Sequence, residues 1–186
     1  MIFRYECQAL ENETSVGDFV RGYVDVPRFL ECCKACPNYG GKWSCPPYDF
    51  EPLDLWRGFS SIRLFGTKII LDGSMKGADY NAAEVGGFIR GALAKEKHKL
   101  MELVLRLEAE EKGSLGLAAG SCELCGICSR REGGRCRRPE LMRYSIEALG
   151  GNVSAVAEEL LGTEIKWIKN GGVPEYFVLV CGLLRR

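Results

Sequence analysis

Histidine is almost missing from this chain: there is one, His98, against ten cysteines. That scarcity removes the Ser-His-Asp set and the His-x-x-Glu type of metal helix. A Cys–His nucleophile pair would need His98, which lies between Lys97 and Lys99 on a predicted helix, where a solvated face is the default. No phosphate loop or dinucleotide fingerprint is present, and Gly86-Gly87 and Gly171-Gly172 are too isolated to hold phosphate. Hydrolase, kinase and dehydrogenase readings therefore find little support.

An excess of charge is missing too. Twenty-five Lys and Arg balance 25 Asp and Glu, for a formal net charge of +0. A globally basic nucleic-acid binder is not expected from that balance. No apolar run approaches the roughly 20 residues of a membrane span, so no membrane partner is expected. The start, Met1-Ile2-Phe3-Arg4-Tyr5-Glu6, has no charged segment followed by an apolar one, so no signal peptide is read. A reducing, cytoplasmic setting is the expectation. A disulfide scaffold, which is usually small, secreted and short of core, is not.

At 186 residues and 46% hydrophobic, the chain is long and apolar enough for one domain with a real core. Two parts are expected, together forming one compact unit: residues 1–60, a cysteine-rich segment with a first metal site, and residues 61–186, an α+β domain with a second. Ile2 to Ala9 and Val16 to Val26 read as short strands. Asp25 and Pro27 mark the start of a short helix that delivers Cys32, Cys33 and Cys36. Asn38-Tyr39-Gly40-Gly41 is a turn, and Pro46-Pro47 a stop. Ile62 to Asp72 reads as a strand.

The strongest periodic signal follows. Val85, Phe88, Ile89, Ala92, Leu93, Leu100, Leu103, Val104 and Leu107 recur at helical spacing, with Asn81 and Glu84 at capping-box spacing and Gly113 as the end. Ser114 to Ala119 reads as a strand. Pro139 opens a predicted helix that stops at Gly150-Gly151, and Asn152 caps another through Leu161. Glu164 to Lys169 and Tyr176 to Leu184 read as strands around the Asn170-Gly171-Gly172 turn, the last of them apolar throughout, as a central strand would be. The fold class is α+β, with helices packed on a mixed or mostly antiparallel sheet and cysteine-rich metal-binding loops.

Eight cysteines form two dense groups. Cys122-x2-Cys125-x2-Cys128 is the triple that wraps a cubane cluster in bacterial ferredoxins, and Cys136 is the fourth candidate. Gly126, Gly133 and Gly134 allow tight turns that aim N–H groups at sulfur. Zinc sites more often pair two separated Cys-x2-Cys knuckles or use histidine, so a [4Fe–4S] cluster is expected, with zinc as the alternative. Arg130, Arg131, Arg135, Arg137, Arg138 and Arg143 surround this group. They either compensate cluster charge or form an anion-binding surface for a phosphorylated cofactor, an acidic partner protein or, least expected, RNA; a redox partner docking at this basic rim is the expectation.

The first group, Cys32-Cys33-x2-Cys36-x8-Cys45, is less regular. Adjacent cysteines on a helix point in different directions, so one of Cys32 and Cys33 is expected to be a bystander. Three ligands would leave an open corner unless Cys7 or Cys181 fills it, and an open corner suits catalysis. Cys181, inside an apolar run, reads as a core residue. Tyr39, Trp43, Tyr48 and Phe50 would either shield the site or pack a thin region.

Taken together, Cys36-Pro37-Asn38-Tyr39-Gly40-x-x-Trp43-x-Cys45-Pro46-Pro47, Gly120-x-Cys122-x2-Cys125-x2-Cys128, Cys136-Arg137-x-Pro139 and Ser145-x-Glu147-Ala148-Leu149-Gly150 resemble the family of predicted metal-binding proteins of unknown function (domain of unknown function 2284). The resemblance implies Cys32, Cys36 and Cys45 as one ligand set and Cys122, Cys125, Cys128 and Cys136 as the other. It leaves Cys33 as an extra thiol and implies metal binding without naming an activity. The functional expectation is an iron–sulfur protein with one or two [4Fe–4S] clusters, acting in electron transfer or redox support of a metabolic enzyme. Two alternatives stand beside it: an enzyme using an open cluster at the first group, and a structural zinc module.

Overall fold

The computed structural model describes residues 3–186. Met1 and Ile2, where the first strand was expected to open, lie outside the described residues. Strand β1 spans Tyr5–Ser15, β2 Ser61–Leu71, β3 Leu115–Leu117 and β4 Tyr176–Arg185. They form one open sheet in the order β1-β2-β4-β3, and every pairing is antiparallel. The α+β class holds, and the sheet is antiparallel throughout rather than mixed.

Helix α1 (Val16–Tyr23) replaces the strand expected over Val16 to Val26. The valines suggested extended chain, but Ser15 accepts the Asp18 N–H at 3.0 Å and Val16 and Phe19 bury one helical face. Local capping and burial thus override β-propensity. Helix α2 (Val26–Lys34) starts as read: Asp25 caps the Arg28 N–H, and a proline occupies the first turn. It delivers Cys32 and Cys33, while Cys36 lies beyond its end. Helix α3 (Pro52–Arg57) was not anticipated. It places Trp56, fully buried, with its indole N–H donating to the Leu149 carbonyl at 3.0 Å.

Helix α4 (Ala83–Glu110) is the long helix of the periodic segment. Its expected capping box does not form. The Asn81 N–H is taken by Asp79 Oδ1 at 2.9 Å, and Ala82 stands at the cap without a side-chain bond. The helix expected from Pro139 is absent as well, and only a short 3₁₀ turn forms at Glu147–Leu149. Arg143 is drawn to Glu108 of α4 by two bonds of 2.7 Å, and the Tyr144 carbonyl accepts the Ala118 N–H at 2.7 Å. Pro139 to Leu141 makes a single turn, and those ties hold the residues after it beside β3. Asn152 caps α5 (Val153–Ala155), which continues as a π turn over Val156–Leu160. Glu164 to Lys169 alternates like a strand but joins none of the strands of the sheet.

Burial is two-sided. Ile62 and Leu64 of β2, with Val178, Val180 and Leu184 of β4, pack on α1, α3 and the Ile146–Leu161 region. Phe65 of β2 and Cys181 and Leu183 of β4 face Leu100 and Val104 of α4. The sheet is thus the middle layer, which explains why β4 is apolar at successive positions. Its approach to α4 is close: a Cβ on Gly116 of β3 would lie 2.3 Å from Val104 Cγ1. No helix is long and apolar enough to cross a membrane among the described residues.

Candidate metal centres

The first cysteine group runs from the end of α2 into the loop that follows, the second lies on the loop after β3, and the two loops are bonded to each other. Ser44 Oγ accepts the Cys122 N–H at 3.0 Å and lies 3.8 Å from the Cys45 sulfur. Lys42 Nζ reaches the Cys122 carbonyl at 2.9 Å and the Ser121 hydroxyl at 3.0 Å. Trp43 donates its indole N–H to the Gly134 carbonyl at 3.1 Å. Arg130 returns across the gap: its guanidinium donates to the carbonyls of Lys42 at 2.9 Å, Cys45 at 2.5 Å and Pro47, and lies over the Trp43 ring. These are charge-assisted bonds to backbone, the strong kind.

The arginines therefore divide. Arg130 ties the loops together, a role that neither charge compensation nor docking described. Arg143 is largely covered by its pair with Glu108, so it belongs to no outer rim. Arg137 reaches Glu132 at 3.5 Å, whereas Arg135 and Arg138 form no ion pair among the described residues.

Cys122, Cys125, Cys128 and Cys136 all line one small hollow of about 20 Å³, with Trp43, Ser129 and Arg138 in its wall. The loop is folded on itself to make this hollow. Ser129 Oγ donates to the Arg135 carbonyl at 2.6 Å, and the Gly134 N–H reaches the Ser129 carbonyl at 2.9 Å. Burial raises the Cys122 thiol above its usual range, partly offset by the Leu124 N–H aimed at its sulfur.

The first group borders a larger chamber of about 160 Å³. Cys33, Cys36 and Cys45 line it, with Tyr39, Ser145 and Glu147. Cys32 is exposed and does not line the chamber, whereas the adjacent thiol Cys33 does. Cys7 is on β1 and Cys181 is buried within β4; neither lines the chamber. Burial, then the neighbouring Cys45, Cys36 and Cys32, then Glu147, push the Cys33 thiol up to about 11. Without metal this thiol keeps its proton, and metal binding must displace it.

Glu147 is the site residue that sequence reasoning left without a role. Although part of the residue is accessible, its carboxylate is enclosed, and Oε2 has no hydrogen-bond partner. Burial raises its pKa above the ordinary carboxyl range. The fold sets it there by close packing. Gly150 has φ +86, and a Cβ on it would lie 2.7 Å from Val26 Cα; one on Gly151 would meet Ile146 Cγ2 at 2.4 Å. The Asp25 N–H donates to the Gly150 carbonyl at 2.9 Å, and Asn152 N–H to the Tyr23 carbonyl at 2.7 Å. The start of the helix that carries Cys33 is thereby seated on the turn that carries Glu147. The available signal was the Ser145-x-Glu147-Ala148-Leu149-Gly150 motif itself.

The aromatic residues both line and pack. Tyr39 borders the chamber, while Tyr48 and Phe50 border an adjoining hollow of about 170 Å³ that also touches Cys33. Tyr48 stacks on Phe50 with ring centres 4.8 Å apart, and both meet Tyr144 edge-on. Tyr48 donates to the Ser44 carbonyl at 2.8 Å. His98 is exposed and pairs with Glu102 at 3.4 Å.

Among the described residues, no three Cys, His, Asp or Glu side chains are already gathered closely enough to hold a metal ion. The donor chemistry nevertheless fits soft metals: four thiols on one hollow, and three thiols with an unpartnered carboxylate oxygen on the other. Loops of this composition on an α+β scaffold define a cysteine-rich metal-binding protein. The chain belongs to the family described as "Predicted metal-binding protein (DUF2284)", whose pattern matches residues 23–183. No curated protein and no solved structure matches it.

Proposed function

We propose that the protein is an iron–sulfur redox protein in which the second cysteine group is the electron-carrying site and the first is an open site where electrons are delivered to a small molecule. A cubane cluster, when bound, supplies one-electron transfer at both places. Cys122, Cys125, Cys128 and Cys136 would hold one cluster with all four corners filled. Cys33, Cys36 and Cys45 would hold the other with one corner left for exchange, beside the Glu147 carboxylate. The observation that carries this reading is the unequal pair of cavities joined by Ser44, one hollow with four thiols and one chamber with three. Trp43, Tyr39 and Tyr48 exclude water, and Arg130 and Lys42 keep the two loops together.

Arg135 and Arg138, exposed on the loop of the second cysteine group, offer an acidic redox partner a place to dock beside the second site. The deciding experiment is iron and acid-labile sulfide content of anaerobically purified protein, with absorption spectra before and after dithionite. About eight irons and eight sulfides with bleaching on reduction are expected for two cubanes. Zinc without sulfide would overturn the reading in favour of a structural module. Glu147→Gln, which keeps the side chain's shape, is expected to alter the spectrum of the first site and leave that of the second unchanged.

A further inference from the structure

A cavity of about 660 Å³ lies beside the first cysteine chamber rather than within it. Phe177, Val178, Leu179 and Val180 of β4 all line it, although successive residues of a strand face opposite sides of a sheet. Such a lining arises when a cleft straddles the strand's edge. The short β3 covers only Gly182 to Leu184 of β4, so the neighbouring stretch has no strand partner on that side among the described residues. Glu164 to Lys169, expected as that partner, stands off across the cleft and presents Trp167, 63% exposed, at its lip.

Three cations enter the cleft from its walls, each in a different state. Lys97 pairs with Glu123 at 2.5 Å, and Lys166 pairs with Glu175 at 3.3 Å. Arg90 lies over the Tyr80 ring and forms no ion pair among the described residues. Arg90 and Lys97 share one face of α4, two turns or roughly 10 Å apart. The Lys97 end is the end that meets the cysteines: Gly120 and Glu147 line both the cleft and the thiol chamber, and Lys97 Nζ would lie 3.8 Å from a Cβ on Gly120.

We propose that this cleft binds the substrate of the open first site, a small organic anion with an apolar body. Its carboxylate, sulfonate or phosphate group is held by Arg90, its body lies along Leu93, Val153 and Trp167, and its other end reaches the Gly120–Glu147 boundary of the chamber. The proposal rests on the open-site reading, yet its physical content, a ligand cleft bordering the thiols, is measurable without metal.

The probe is 8-anilinonaphthalene-1-sulfonate, titrated into the full metal-free chain, with tryptophan emission followed in the wild type and in Trp167→Phe, whose difference reports Trp167 against the background of Trp43 and Trp56. One saturable site that quenches Trp167 is expected. Arg90→Gln is expected to weaken binding about tenfold, with Arg90→Lys intermediate, as befits loss of a charge-assisted bond. In the same samples, bound probe is expected to slow iodoacetamide labelling of Cys33 and Cys36 at least about fivefold while Cys7 labels at its original rate, since the labelled fraction tracks cleft occupancy. Unsaturable binding, no response to Arg90→Gln in a variant with native circular dichroism, or equal labelling with and without probe would overturn the proposal. A protein that binds the probe this way but carries no iron would instead sink the open-cluster reading and leave the cleft standing.

Discussion

The two cysteine groups differ in where their walls come from. The second hollow is built almost wholly from one short stretch, Cys122 to Met142, with Trp43 and Ser44 leaning in from the other loop. The first chamber draws on the Cys33–Pro46 segment, on Gly120-Ser121 and on the Ser145–Ala148 turn, which are far apart in the chain. A site whose ligands lie on one loop needs only local turns to form. A site assembled from three segments needs the whole tertiary fold, and can leave room that local turns would have closed. That contrast is why one hollow holds about 20 Å³ beside four thiols and the other about 160 Å³ beside three.

The sharpest way to break the comparison is to remove one thiol from each side. Cys136→Ala is expected to abolish metal at the second site, a loss of 10²-fold or more in affinity by the order of magnitude for a missing ligand, while the first site retains its own. Metal analysis paired with electron paramagnetic resonance on the reduced protein reads this directly. Cys33→Ala should do the converse at the first site, and Cys32→Ala should leave both untouched. Metal loss in Cys32→Ala with retention in Cys33→Ala would reverse the assignment that the chamber supports.

A smaller effect tests whether the sites depend on each other. Arg130→Leu removes three bonds to the carbonyls of Lys42, Cys45 and Pro47. At about 1.5–3 kcal/mol for a charge-assisted bond, discounted for the partly exposed guanidinium, a total loss of about 3 kcal/mol is expected in urea unfolding. The first site should loosen more than the second, seen as faster release of its metal to a chelator. Equal release from both would mean that the loops behave as one unit.

The smallest expected effect lies away from both sites and serves as their control. Cys181 is buried in β4, and burial alone pushes its thiol up to about 12 from 9.0. Its neutral form is fully stabilising below pH 9, and the contribution is lost as pH rises from the unfolded value toward the folded one. Metal-free wild type should therefore lose about 2 kcal/mol more than Cys181→Ala between pH 8 and pH 10.5, measured by urea unfolding at each pH. Metal content should be the same in both.

Much of the scaffold was legible because its signals are local. The α4 stripe from Val85 to Leu107, the Asp25 cap with Pro27, the Asn152 cap and the unbroken apolar run of β4 all carry their meaning within a few residues. The misreadings fall where tertiary ties outweigh local preference. Val16 to Tyr23 is rich in valine yet helical because Ser15 caps it and Phe19 is buried against Trp56, with ring centres 5.2 Å apart. Pro139 to Leu141 makes only a single turn, because Glu108 and Ala118 hold Arg143 and Tyr144 just beyond it. Glu164 to Lys169 alternates like a strand but does not pair with the edge of β4.

A cysteine-rich α+β protein with two thiol groups and the pattern of a metal-binding family can be read from the chain alone, because composition, spacing and periodicity are properties of neighbours along it. Folding in three dimensions is what sets Cys33 rather than Cys32 on the first chamber, Glu147 beside it, Arg130 between the two loops, and a cleft next to the chamber. Each of those depends on residues brought together across long stretches of chain by the packing of α2 on Gly150 and of α4 on the sheet, which no local pattern encodes.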